Sequence, residues 1–106
     1  MTYVRSAQSL EYVRVAVTVT DANGDPEDVT ADPVGMAFVA PGAALDADTT
    51  FYSSTWEIVS GQQMVRCLVG PGGVFEPSAQ DVFDVWVSIT DNPEAVKLHS
   101  GSIAFR

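Results

Sequence analysis

The sequence predicts an all-β domain, an antiparallel sandwich of about seven short strands, and three observations carry that prediction. Apolar residues recur at every second position over several runs. Gly, Pro, Asn and Asp gather between those runs and stop each of them. No segment holds a helical period or the roughly 30-residue spacing of a strand-helix-strand unit.

The elements follow in order. Tyr12 to Thr20 places Val13, Val15, Val17 and Val19 on one face, which reads as a half-buried strand. Asp21-Ala22-Asn23-Gly24-Asp25-Pro26 then stacks turn formers, and Pro26 has no N–H for a ladder. Val34 to Val39 alternates large Val34, Met36 and Phe38 with small Gly35 and Ala37, a core strand closed by Pro41-Gly42. Residues 40–54 read as a long surface loop, with room for one helical turn between Ala43 and Asp48. Thr55–Val59 and Gln63–Val69 flank Ser60-Gly61 as a hairpin. After Gly70-Pro71-Gly72-Gly73, Val82 to Thr90 is the strongest strand, with Phe83, Val85, Val87 and Ile89 on one face and Trp86 on the other. Asp91-Asn92-Pro93-Glu94 is a turn, and Val96–Leu98 and Ser102–Phe105 are two short closing strands. Residues 1–9 stand outside the alternation, as an N-terminal arm ahead of one domain over 10–106. The architecture this favours is an Ig-like sandwich in topology only, because a single cysteine excludes the intersheet disulfide; a small β-barrel is the alternative.

A length of 106 residues, 46% apolar and 18% charged, fits one globular domain with a proper core. With 14 Asp and Glu against 5 Lys and Arg, the net charge of -9 repels phosphate, so nucleic acid and anionic membrane are excluded as partners. Cys67 reads as a small buried hydrophobe. The start of the chain lacks a signal-peptide pattern, and no run approaches the ~20 apolar residues of a membrane span, so the expectation is a leaderless chain made in a cytoplasm.

Candidate chemistry is sparse. Asp21, Asn23, Asp25 and Asp32 imitate the oxygen spacing of a calcium loop, but Pro26 stands where glycine is needed and Asp32 is shorter than the bidentate Glu, which favours a solvated turn. Gly70-Pro71-Gly72-Gly73 lacks the Lys-Ser/Thr pair of a phosphate cradle. His99 and Ser100 are adjacent on a strand and point to opposite faces, so they do not share a proton. Asp84 beside Trp86 on an outer face is either a binding patch or a pair lying under a neighbouring loop. No catalytic residue, metal or cofactor is expected, and the chain does not read as an enzyme.

Four blocks resemble a known group: Glu11-Tyr12-Val13-Arg14-Val15 with Val17-Thr18, Ser54-Thr55-Trp56-Glu57, Arg66-Cys67-Leu68-Val69-Gly70-Pro71-Gly72, and Asp84-Val85-Trp86-Val87-Ser88-Ile89-Thr90-Asp91-Asn92-Pro93-Glu94. Together they make most of residues 10–105 similar to small virion structural proteins of tailed phages that infect actinobacteria. There the last block commonly reads Tyr-x-Val-Trp-Val-x-Val-Thr-Asp-x-Pro-Glu, and this chain departs from it at Phe83 and Ile89. The resemblance implies a non-enzymatic Ig-like protein carried by the virion, on the capsid surface in the favoured reading or near the head–tail junction or tail, and synthesised in the host cytoplasm.

Three functions follow as expectations. The first is a capsid decoration or cement protein that binds the outside of the major capsid shell; the second is a head–tail connector or tail component; the third is an adhesion module for a host-surface glycan. Partner contacts are expected from Tyr3, Val4 and Arg5 of the arm, from Phe51 and Tyr52 of the 40–54 loop, and from Trp86, since these lie outside the main strand pattern or on its outer face. Deleting residues 1–9 is expected to leave the domain folded. The partners are then the major capsid protein or other virion subunits, with a homo-oligomer forming on the particle while the acidic chain stays monomeric or weakly associated in solution.

Overall fold

The computed structural model describes residues 2–20, 23–25, 27–46, 49–91 and 94–106, without the side chains of residues 2, 3, 5, 91, 94 and 95. Eight strands form among them: Thr2–Arg5 (β1), Glu11–Ala16 (β2), Val34–Val39 (β3), Tyr52–Ser53 (β4), Thr55–Val59 (β5), Gln62–Val69 (β6), Val82–Asp91 (β7) and Glu94–Phe105 (β8). A five-stranded sheet runs β1-β8-β7-β3-β4 and a three-stranded sheet runs β2-β6-β5. All pairings are antiparallel except β1 with β8, which is parallel. In immunoglobulin letters the last seven strands are GFCC′ against BED, so the chain is an Ig-like sandwich and the barrel alternative falls away.

The core lies between the sheets. Met36 and Phe38 of β3, Val85, Val87 and Ile89 of β7, and Ile103 and Phe105 of β8 face Val13 of β2 and Val65, Cys67 and Val69 of β6. Period-two alternation on each strand supplies these residues. One end is sealed by aromatic rings. Phe75 stacks on Phe38 at 4.6 Å and meets Phe83 edge-on at 5.4 Å, while Phe83 meets Phe105 at 6.1 Å.

Phe75 reaches that position because residues 70–75 fold back on β6. Gly70 N–H donates to the Phe75 carbonyl and Val74 N–H to the Leu68 carbonyl, each at 2.9 Å. Gly70 and Gly73 are there for close backbone packing, while Gly72 supplies a positive φ of 82° in open space. A Cβ on Gly73 would stand 2.6 Å from the Leu68 oxygen.

The hairpin between β5 and β6 forms as expected, with Ser60 and Gly61 at φ 50° and 78°. Positive φ at both positions marks the two-residue turn whose twist matches the strands. β2 stops at Ala16 rather than at Thr20, and β6 has only Gln63 and Gln62 left beyond its partner Met64. Beyond it, Val17 N–H donates to the Gln63 carbonyl and the Gln62 amide donates to the Val17 carbonyl. In the segment that follows, Asp28 accepts from both the N–H and the hydroxyl of Thr30, and these bonds hold its carboxyl below the ordinary value.

Two expectations are corrected. The described residues of the 1–9 segment are not a free arm: β1 pairs with β8 from Thr2↔Ser102 to Arg5↔Phe105, and Ala7 is buried in the core with its N–H on the Arg106 carbonyl. Four residues are too few to show a period, and their partner lies at the far end of the chain. The two closing strands are likewise one, β8, with a bulge between the pairs Trp86↔His99 and Val85↔Gly101. Ser100-Gly101 reads locally as a break, but Gly101 at φ 125° absorbs the extra residue and pairing continues on both sides. No helix forms among the described residues of the 40–54 loop.

Cys67 is 1% exposed, and burial pushes its thiol up, against a weaker lowering contact from the Ser54 side chain. With the folded thiol raised, the unfolded chain loses its proton first. This contribution to stability is intact below the ordinary cysteine range and fades as pH rises through it. At pH 8 the folded protein should react with Ellman's reagent no faster than it unfolds; rapid labelling under native conditions would contradict the buried placement.

Candidate functional site

The outer face of the large sheet holds the acid–indole pair. Asp84 and Trp86 alternate with buried Val85 and Val87 and so point outward. The bulge sets His99 opposite Trp86, with ring centroids 5.0 Å apart, and His99 Nε2 stands 3.7 Å from Asp84 Oδ1. The other Asp84 oxygen accepts the Gly42 N–H at 2.8 Å, which ties the turn after β3 onto this face. The pair thus lies partly under a loop. Trp86 is half-buried, and its Nε1–H is buried with no acceptor among the described residues, a cost of about 1–3 kcal/mol for an unpaired donor.

The other expected contact residues separate. Phe51 is half-buried at the margin of this face, with Lys97 Nζ 5.8 Å from its ring centroid. Tyr52 turns the other way. It lies opposite fully buried Met36 and packs 5.1 Å from Phe75 and 6.3 Å from Phe38, so its expected role as an offered aromatic is corrected to core packing. Tyr3, Val4 and Arg5 are held in register with Ile103, Ala104 and Phe105. Val4 and Val82, both opposite Ala104, make a small outward apolar patch at 45% and 46% exposure.

A third feature escaped the sequence. Arg14 on β2 lies directly opposite Arg66 on β6, an arrangement that repels by itself. Glu57 on β5 resolves it: its Oε2 accepts from Arg14 Nε at 3.1 Å and from Arg66 Nη1 at 3.5 Å. The two guanidiniums stand 5.5 and 4.5 Å from the Tyr12 ring centroid. Alternation alone places all four side chains outward, but only the register brings them together.

For the acidic turn, Asp21 and Pro26 lie outside the described residues. Among the described residues no three His, Cys, Asp or Glu side chains gather as metal ligands. Asp32 instead uses its backbone carbonyl to accept the Trp56 indole N–H at 2.9 Å.

A further hollow lies not on either face but between the sheets, a cleft of about 430 Å³ lined by residues 14–18 and 98–100. This size falls within the about 300–1,000 Å³ of ligand pockets, yet His99 is the only one of its lining residues with an imidazole and none is a cysteine or carboxylate. Comparisons with protein-family models, curated proteins and solved structures return no match.

Proposed function

We propose that this chain is a non-enzymatic structural protein of a tailed-phage virion that decorates the capsid by binding the outside of the major capsid shell. One observation carries the reading: the residues that resemble phage virion proteins serve the fold. Arg66–Val69 lies in β6, Gly70–Gly72 makes the tight crossing beneath Ser9 and Leu10, and Asp84–Asp91 lies in β7. A sequence constrained by strand pairing and backbone clearance suits a rigid body that binds other proteins. The charge of -9 suits a coat facing away from packaged DNA and keeps many copies soluble before assembly.

Copy number tests this. In purified virions the protein should approach the abundance of the major capsid protein, as a lattice-wide decoration requires. A single ring's worth of copies would replace decoration with the connector or tail reading, and absence from the particle would remove both.

A further inference from the structure

The two sheets do not meet along one side. β2 pairs only with β6, so among the described residues its other edge has no strand beside it. Facing it, β8 is paired by β1 only from Ser102 to Phe105. The bulge at Ser100 and the φ of 125° at Gly101 turn the upper half of β8 off the line of β1. Between these two edges lies the cleft, lined by consecutive residues on both banks, Arg14–Thr18 and Leu98–Ser100. Consecutive lining residues mean that backbone edges face the cleft, since side chains alone would line it at every second position.

Its inner wall lacks cover. Val96 and Leu98 are in register with buried Ile89 and Val87, which places them on the inner face of the large sheet, yet they are 46% and 36% exposed, Leu98 lining the cleft and Val96 the hollow beside it. Farther along the same strand, Ile103 and Phe105 are inner-facing at 1% and 4%. An added strand in the cleft would cover the first pair as the small sheet and β1 cover the second.

We propose that the cleft receives an extended segment of a partner polypeptide, with aliphatic side chains facing inward and carboxylates facing outward. Backbone bonds to a free edge give such a strand its affinity, and alternate side chains give it specificity. The inward positions meet Leu98, Val15 and Val17. The outward positions meet cations: Arg14 and His99 line the cleft, His99 with Nε2 3.7 Å from Asp84, and Lys97 stands on the same face of β8 with its Nζ 5.8 Å from the Phe51 ring centroid; the three are half of the chain's basic side chains, which number 5 Lys and Arg and 1 His. Arg14 shares Glu57 with Arg66, so an arriving carboxylate is a further anion for two guanidiniums.

The segment is short. β1 closes one end, and at the other Glu27 and Asp32 line the adjoining hollow beside Val96 and repel further acid. The lining residues 14–18, three from the end of β2 and the two that follow it, match a strand of about five residues at about 3.3 Å each. A second copy of the chain is the weaker occupant, because two bodies of charge -9 repel. The inference describes a surface and stands apart from the virion reading.

The test is a fluorescein-labelled heptapeptide of alternating valine and aspartate, titrated by anisotropy at physiological salt. Its dissociation constant should be at least about tenfold lower than that of the same peptide with lysine for aspartate. Leu98→Glu should weaken it about tenfold or more, while Ile58→Glu, at a 61% exposed site on the β5–β6 hairpin, leaves it unchanged. Lys97→Glu, a charge change at an exposed position that keeps the fold even where Leu98→Glu does not, should weaken the acidic peptide and strengthen the basic one. Tighter binding of the lysine peptide, no binding below about 1 mM, or equal losses at Leu98 and Ile58 would each overturn the proposal. So would a sedimenting dimer that Leu98→Glu dissolves, since the occupant is then a second copy.

Discussion

Gly70→Ala should cost about 4 kcal/mol, the largest effect expected of any single methyl group added to this chain. Two causes add. Gly70 has φ 125°, a backbone conformation that a Cβ strains by about 1–3 kcal/mol. A Cβ there would also collide with the Ser9 carbonyl oxygen and stand 2.9 Å from Leu10 Cα, both backbone atoms that no side-chain rotation relieves. Overpacking of this kind costs about 1–3 kcal/mol more. Against a total stability of about 5–15 kcal/mol, the variant is left near the edge of folding. Gly72→Ala is the control. It sits two residues on with φ 82°, but nothing lies within 4 Å of its added Cβ, so it should lose only about 1–2 kcal/mol. Urea unfolding of the two variants checks this, and equal losses would show that the φ penalty, not the crossing of Ser9 and Leu10, makes position 70 demanding.

What the sequence disclosed and what it hid divide along the range of the interaction. Val85, Val87 and Ile89 alternate with Asp84, Trp86 and Ser88, and a period of two is enough to place the first set inside and Trp86 outside. Ser60-Gly61 specifies its own turn. Both depend on neighbours in the chain. Which distant strands pair does not, although the hairpin of β5 and β6 forms as its sequence implies. Arg14, Arg66 and Glu57 come from three strands, and nothing near any of them announces the other two. Phe75 follows a glycine run and reads as loop, yet the folded-back turn delivers its ring onto Phe38. Tyr52 was hidden by the brevity of β4, whose two residues show no alternation, so its partner Met36 alone decides the direction it faces. The candidate contacts fared unevenly for the same reason. Trp86 and Phe51 belong to the outer face, as their own segments suggest, whereas the open side between β2 and β8 depends on distant parts of the chain: β1 meets β8 only over Ser102 to Phe105, and among the described residues no strand lies beyond β2.

Deleting residues 1–9 should lower stability by about 3 kcal/mol or more, the reverse of what a dispensable arm would do. Residues Thr2 to Arg5 are in ladder register with Ser102 to Phe105, and each inter-strand bond lost is worth about 1 kcal/mol net. Ala7 leaves the core, its bond to the Arg106 carbonyl is lost, and β8 is stripped of its neighbour beside Ile103 and Phe105, which are buried at 1% and 4%. Uncovering even part of those two side chains weighs heavily, because full burial of each is worth about 1.5–3 kcal/mol. In a domain of this size the loss should appear as a melting temperature lower by about 12 °C or more. The exposed β8 edge would then be free from end to end, so the truncated chain should also associate on heating where the full chain does not. Thermal unfolding followed by circular dichroism, with light scattering beside it, reads both effects. An unchanged melting temperature would mean that β1 contributes nothing to holding the sandwich closed. A lowered one makes the first residues part of the body, and any loss of partner binding in the same truncation then has to be measured below the new melting temperature before it is credited to Tyr3, Val4 or Arg5.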